Sequence, residues 1–226
     1  MNGRLAVLYY QVGRLLDGAK LHQHVISTEP LIPGPYAFAA TALSSAGRVQ
    51  EADALLEEGS DRWPANPFIW SAPYRHLLFR GRPASAAPLV MDPEARPSGL
   101  DDAQARPFLT LARAVEQSRP ADVEAATQFA ISVAQADVTA IANAAPVLAL
   151  LGRQELSFAS LERYLLNRGS FGPPSPIGPL TRRYTDFLYS APMASVRAHP
   201  KFGELTEAIG LDGYWESTGK LPDRRR

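Results

Sequence analysis

The stretch that decides the fold is SAGRVQEADALLEEGSDRWP, residues 45 to 64. It opens with a turn at Gly47, continues with apolar residues at helical spacing, and ends at Pro64. Glycine reverses a chain without the steric penalty of a Cβ atom, and proline cannot continue a helix. The stretch therefore predicts a tight turn followed by one amphipathic helix.

Similar turns recur at a fixed interval along the chain. Gly13, Gly47 and Gly81 are each followed by arginine, and 47 − 13 = 81 − 47 = 34. Further pairs of residues keep this interval, namely Pro30 and Pro64, Tyr36 and Trp70, and Ala52 and Ala86. Self-similarity at a fixed period of this length indicates a stacked array of helical hairpins.

The pattern resembles the tetratricopeptide repeat (TPR), a helix-turn-helix unit that stacks into a solenoid. The matching residues are Tyr36 and Trp70 at the large aromatic position of the first helix, Leu43 and Leu77 two turns later, Ala39 and Ala40 as the small pair, and Ala52 and Ala86 at the helix crossing. The resemblance implies an all-α fold, an α-solenoid of about five helical hairpins that degenerates toward the C-terminus. It implies no reaction, metal or cofactor.

The regular interval is broken once. Gly81 and Ser118 are 118 − 81 = 37 residues apart, which predicts an insertion of about three residues in MDPEARPSGL, residues 91 to 100. The interval from Ser118 to Gly152 is again 34.

Asp101 and Asp102, just after the insertion, suit a helix N-cap and first turn. Pro73 predicts a kink in the first helix of the third unit, or a late start to it.

The C-terminal part begins where the helical pattern stops. We expect helical repeats in residues 1–168 and a Pro/Gly-rich connection with a helical cap in residues 169–226. Phe171, Ile177 and Leu180 are expected to pin the connection.

The tail resembles one found at the end of TPR-like bacterial regulatory proteins. The similar elements are VRAHPKF at residues 196–202, IGL at 209–211 and YW at 214–215. Some proteins with this tail carry an N-terminal DNA-binding winged helix, for which this sequence leaves no room. Tyr214 and Trp215 are expected to cover the last helical pair, because a solenoid needs a cap.

Composition argues against several classes of function. Lys plus Arg and Asp plus Glu are both 23, so no net charge attracts nucleic acid or an anionic membrane. There is no cysteine, which excludes disulfides, thiolate metal sites and a cysteine nucleophile. No segment approaches the roughly 18 apolar residues of a membrane span. We expect a soluble, cytoplasmic protein.

The four histidines offer little chemistry. His22 and His24 point to different sides of a helix and are expected to be solvated. His76 could face core or groove, with a structural role favoured, and His199 is expected in a loop or cap. Known hydrolase, metalloprotease, phosphate-loop and dinucleotide motifs are absent, so we expect no enzyme and no cofactor.

The leading hypothesis is a non-enzymatic protein–protein interaction module. A peptide or helix of another protein would bind the concave face, which first helices build in such folds. The candidate partner-binding residues are Thr41, Ser44, Ser45, Arg75, Leu78 and Phe79. The alternative is a small-molecule-sensing or regulatory domain acting with a separate effector, which an enclosed apolar pocket near Phe79 and Phe108 would favour.

The first helix predicts self-association. Leu5, Leu8, Tyr9, Val12 and Leu15 recur at three- and four-residue intervals, and no earlier repeat covers them. Exposed apolar patches of this kind mark interaction surfaces. A second copy of the chain, another protein or an upstream segment could cover this face, and we expect a homodimer through the N-terminal helix because it needs no further component.

Overall fold

The computed structural model describes residues 2–172 and 184–223, apart from the side chain of Val138. The fold of these residues is all-α, with no strand among them. The α-helices in chain order are α1 (Asn2–Gln11), α2 (Leu15–Thr28), α3 (Pro33–Ser45), α4 (Val49–Arg62), α5 (Pro67–Phe79), α6 (Pro83–Met91), α7 (Asp102–Gln117), α8 (Pro120–Ala136), α9 (Ile141–Leu150), α10 (Gln154–Leu166), α11 (Ala194–Arg197), α12 (Phe202–Ala208) and α13 (Leu211–Thr218). Short 3₁₀ turns lie at Val138–Ala140 and Asp186–Tyr189. From α1 to α10, each helix packs against the next one along the chain.

The glycine turns share one geometry. Gly13, Gly47, Gly81 and Gly152 all have positive φ, between 71° and 87°. In each turn the glycine N–H donates to the carbonyl three residues back, and the next N–H donates to the carbonyl five residues back, at 2.8 to 3.1 Å. This is the Schellman helix end, whose left-handed residue favours glycine. The predicted turns are confirmed.

Small residues lie where the helices cross. Ala52 and Ala86 have no exposed surface, and neither does Ser157 at the equivalent position after Gly152. Gly18 holds this position in the first hairpin, where a Cβ atom would lie 2.3 Å from the Tyr10 ring. The first hairpin needs glycine there because a tyrosine occupies the space that an alanine methyl would take.

Two helix starts agree with the sequence, and one detail does not. The Asn66 side chain accepts from the N–H groups of Phe68 and Ile69, with Pro67 at the first helical position. Asp101 forms a capping box with Gln104. Helix α5 begins at Pro67 and runs through Pro73 to Phe79, so a late start is wrong.

The two ends of the chain share one hydrophobic core, which we call the closing core. It joins buried residues of α1 to α4, one side of α5, α8 to α10 and the C-terminal segment, among them Tyr10, Leu43, Leu161 and Trp215. A second and smaller cluster, the middle core, lies between α5, α6 and α7. Its buried residues are Trp70, Tyr74, Leu78, Ala86, Val90, Ala105 and Ala112.

The C-terminal cap contacts the first turn of the chain as well as the last helical pair. The Trp215 indole N–H donates to the carbonyl of Val12 at 2.9 Å, and Tyr214 Oη lies 3.5 Å from Arg14. These two side chains therefore contact the first turn of the chain, and both also belong to the closing core, which contains buried residues of the last helical pair, α9 and α10. The cap reaches that pair through His199, whose ring stacks on Phe158 of α10. The tail contacts both ends because the helices bring those ends together.

The Pro/Gly-rich connection is described only at its edges. Phe171 packs against the closing core, as predicted. The predicted contacts of Ile177 and Leu180 lie outside the described residues, as does the basic tip at 224–226.

Candidate functional site

The predicted partner-binding residues do not form one surface. Thr41 is exposed, Arg75 and Phe79 are half-buried, and Ser44, Ser45 and Leu78 are buried. Leu78 lies four residues after Tyr74, and that spacing puts both on the same side of α5. Tyr74 packs against Phe108, so Leu78 is in the middle core and offers a partner no surface.

Ser44 takes part in a polar side-chain network that links three helices and runs from the buried Ser44 and His76 to the exposed Asp53. The Nδ1 atom of His76 lies 2.8 Å from Ser44 Oγ, and its Nε2 atom lies 2.8 Å from the Asp53 carboxylate. The Nε2 contact is close but is not aligned as a hydrogen bond. Burial is the main cause that lowers the pKa of His76, and the Asp53 charge opposes it.

Ser44, His76 and Asp53 are the residue types of a serine hydrolase triad, but their arrangement does not suit that reaction. A nucleophilic serine must be reachable by substrate and must face donors for the oxyanion. Ser44 and His76 are buried, and neither of the two grooves described below includes them. The chain Ser44–His76–Asp53 therefore ties α3, α4 and α5 together, which agrees with the structural role predicted for His76.

Arg75 belongs to a second polar cluster, where four parts of the fold converge. Its guanidinium donates to the side-chain oxygen of Asn143 in α9 at 3.1 Å. Gln11, at the end of α1, donates to Asp186 at 3.2 Å. Burial raises the pKa of Asp186 and lowers that of Arg75, while the attraction between the two charges opposes both shifts. Arg75 is thus half-buried and links α5 to an exposed asparagine of α9.

The histidine pair near the N-terminus differs from expectation. His24 is exposed, as predicted, but His22 is buried. Its Nδ1 atom lies 2.8 Å from the hydroxyl of Tyr10, and its ring stacks on Phe38. The spacing correctly predicted that the two histidines point to different sides of α2. It did not show which of them faces α1.

An uncharged groove lies beside the middle core, and we call it the aromatic groove. Its volume is about 720 Å³. The lining residues come from α5, the 92–101 loop, α7 and α8, namely Pro67, Trp70, Ser71, Pro97, Ser98, Gly99, Leu100, Ala103, Gln104, Pro107, Phe108 and Phe129. None of them carries a charge, and Phe129 at the rim is exposed. The groove is therefore open to solvent and suited to apolar groups.

The floor of this groove is held in place by ring contacts and hydrogen bonds. Trp70 stacks on Tyr74, with ring centroids 5.8 Å apart, and meets Phe108 edge-on at 5.5 Å. The Trp70 indole donates to the carbonyl of Leu89, and the Tyr74 hydroxyl donates to that of Phe108 at 2.6 Å. A floor fixed in this way does not need to be ordered when a ligand binds.

A second groove lies between α6, the same loop and α7, and we call it the arginine pocket. Its volume is about 540 Å³. The lining residues are Val90, Met91, Arg96, Asp102, Ala105, Arg106, Leu109, Thr110 and Arg113.

Sequence reasoning identified neither groove, yet one signal was present. The 92–101 loop that separates them contains most of the insertion that breaks the 34-residue interval. Departures from a repeat period map to loops that often carry function.

Comparison with known proteins adds no relative. No protein-family model, no curated protein and no solved structure matches the chain. Among the described residues there is no helix long and apolar enough to cross a bilayer, and no cluster of three metal-ligating side chains.

Proposed function

We propose that this protein is a non-enzymatic interaction module, a TPR-like α-solenoid of about five helical hairpins acting in the cytoplasm. The support for the repeat architecture is the shared turn geometry at Gly13, Gly47, Gly81 and Gly152. Buried small residues at matching positions of three hairpins, Ala52, Ala86 and Ser157, add to it. Stacked repeats of this kind present extended surfaces to their partners.

The aromatic groove is the surface that carries the proposal. A concave site with a fixed aromatic floor and no charge favours aromatic or aliphatic side chains, and excludes charged ones that would lose their hydration. Its ligand is therefore an apolar segment of another protein, in extended or helical form. Helices α5 and α7 supply the floor, which supports a site built from first helices, although its residues are not the predicted ones.

The shape of the groove separates this function from its alternative. A small-molecule sensor encloses most of its ligand. Here the lining residues Pro67, Ser98, Ala103 and Phe129 are exposed, and Phe79 is not part of the lining. An open rim suits a peptide segment that enters and leaves the groove. It suits a small compound held inside the groove less well.

The test is a selection of peptides from a random displayed library on the purified chain, followed by calorimetric titration of those that bind. Two variants change the groove at exposed positions: Phe129→Ala removes a rim ring, and Ala103→Arg introduces a charge. Each should weaken the selected peptides about tenfold or more, since interface aromatic residues often dominate affinity. Stability should stay within about 0.5 kcal/mol, as is usual for exposed positions.

Leu31→Ala is the matched control, because Leu31 is an exposed apolar residue that does not line the groove. It should leave the affinity unchanged. Selected peptides that bind both groove variants as well as the wild type would refute the assignment. The alternative would be favoured by two results together: no peptide is enriched, and a small apolar compound slows amide hydrogen exchange at Phe129 and Ala103.

A further inference from the structure

The arginine pocket has a charge that the rest of the chain does not share. Three arginines and one aspartate line it, so its formal charge is 3 − 1 = +2, whereas the whole chain is neutral. Arg106 and Arg113 have no ion-pair partner among the described residues, although Arg14, Arg48 and Arg62 each pair with a carboxylate. The positive charge of the pocket is therefore not neutralised from within.

The helix α7 aligns the polar groups along one side. Asp102, Arg106, Thr110 and Arg113 follow each other at intervals of four, four and three residues. These intervals place side chains on one face of a helix. Two guanidinium groups and a hydroxyl are thus presented in a row, opposite the end of α6.

Arg96, from the 92–101 loop, is the buried member of the set. Its side chain is 6% exposed, whereas that of its partner Asp102 is 92% exposed. The Arg96 guanidinium donates from Nη2 to the Asp102 carboxylate at 2.8 Å, and its buried Nε has no acceptor. A buried guanidinium with an unused donor is unfavourable unless a further acceptor arrives.

Asp102 behaves as a replaceable anion in this arrangement. Its carboxylate can turn into water at little cost because it is almost fully exposed. The carboxylate then marks the place where the oxygen of a bound anion would meet Arg96. The floor under this place is apolar, because Val90 and Ala105 are buried, and low polarity strengthens charge–charge attraction.

We propose that the arginine pocket binds a phosphate monoester dianion, with Arg96, Arg106 and Arg113 as donors and Thr110 as an additional hydroxyl donor. The charge of the pocket matches that of the dianion. Guanidinium groups match the geometry of phosphate oxygens through paired N–H donors. The exposed thioether of Met91 at the rim leaves room for the organic part of the ligand. This site does not depend on the aromatic groove.

The test is calorimetric titration of the full chain with inorganic phosphate, with phosphoserine and with a short phosphoserine peptide, at constant ionic strength. We expect saturable binding, weakened about tenfold or more by Arg106→Gln and by Arg113→Gln, since each removes a charge-assisted donor. Arg119→Gln, at an exposed arginine outside the pocket, is the control and should bind as the wild type does.

The direction in which Asp102→Asn changes the affinity for phosphate decides whether the proposal holds. If Asp102 competes with the ligand, this variant should bind phosphate several-fold more tightly, although it loses a favourable charge in the first turn of α7. Weaker or unchanged binding in Asp102→Asn would overturn the proposal, and so would the absence of saturation at millimolar ligand. Glutamate that binds as tightly as phosphate would overturn the assignment to phosphate.

The ligands also separate two sources of the phosphate group. Equal affinity for inorganic phosphate and for the peptide indicates a free phosphorylated compound. A peptide that binds much more tightly than phosphoserine indicates a phosphorylated side chain of a protein.

Discussion

The closing core and the middle core are built from contacts of very different range. In the closing core the Asp223 N–H donates to the Gly13 carbonyl, and the Leu16 N–H donates to the Asp223 carboxylate at 2.8 Å, so nearly the whole length of the chain separates the partners. In the middle core, Trp70 bonds to Leu89 and Tyr74 to Phe108, which are 19 and 34 residues away. One core closes the chain on itself, and the other is local.

This difference decides where a partner can bind. The closing core uses the surface of the first turn for intramolecular contacts: a Cβ atom on Gly13 would lie only 2.5 Å from Pro222. No residue of the described part of the tail belongs to the middle core, and both grooves adjoin it. An open repeat stack needs a cap at each end. Here the tail contacts both ends, and the sides of the middle helices remain open.

The largest expected effect tests whether the closing core depends on the tail. Trp215→Ala should lower the free energy of unfolding by about 3–5 kcal/mol, the usual cost of removing a buried tryptophan. The loss should also reach residues far away in sequence, because Trp215 donates to the Val12 carbonyl. Amide hydrogen exchange should therefore increase at the end of α1 and the start of α2.

Two matched variants sharpen this test. Trp215→Phe keeps most of the apolar contact but loses the hydrogen bond, so it should cost much less. Trp70→Ala removes a tryptophan from the middle core and should increase exchange in α5 to α7 without affecting α1. If Trp215→Ala leaves exchange in α1 unchanged, the two ends do not support each other.

The local core was far easier to predict than the closing one. The glycine turns, the cap at Asp101 and the aromatic position of Trp70 all follow from short-range rules on φ, capping and helical period. Gly18 shows the limit of such rules. Its repeat position indicated a small residue, but only the Tyr10 ring explains the absence of even a methyl group.

Contacts between residues far apart in the chain could not be predicted from the sequence, because they do not recur at any fixed interval. The meeting of Trp215 with Val12 depends on the summed angles of all the helices between them. The burial of His22 depends in the same way on Tyr10 and Phe38, which lie on other helices. The arginine pocket combines Arg96 with a helix face, and it follows from neither alone.

The second prediction concerns the acid stability of the N-terminal side of the closing core. Burial lowers the pKa of His22 from its ordinary value of 6.5 to about 4. Between these values the unfolded chain binds a proton that the folded chain does not bind. Stability is therefore complete above pH 6.5 and falls as the pH decreases toward 4. The loss due to His22 should be about 2–3 kcal/mol.

Urea unfolding at several pH values measures this loss. His22→Gln should remove most of it, and a smaller dependence should remain from His76, whose pKa is lowered in the same direction. His24→Gln, two residues later on the same helix and exposed, should leave the pH dependence as in the wild type. An acid loss that persists in His22→Gln would place its origin elsewhere, in the carboxyl groups.

The smallest expected effect concerns the homodimer predicted through α1. The sequence prediction counted Leu5, Leu8, Tyr9, Val12 and Leu15 as uncovered, but Leu15 is buried in the closing core and Val12 packs against it. Leu5 and Leu8 remain 40% and 58% exposed. They offer far less than the roughly 800 Å² per partner of a stable interface. We therefore expect association that is weak and visible only at high concentration in sedimentation velocity.

Leu8→Glu should abolish this association, whereas Met91→Glu, at an exposed residue of α6, should not. Val12→Glu cannot serve as the test because it would disrupt the closing core, and a loss of association would then reflect unfolding. A tight dimer that survives Leu8→Glu would require an interface outside α1, and the open sides of the middle helices would be the first place to look for it.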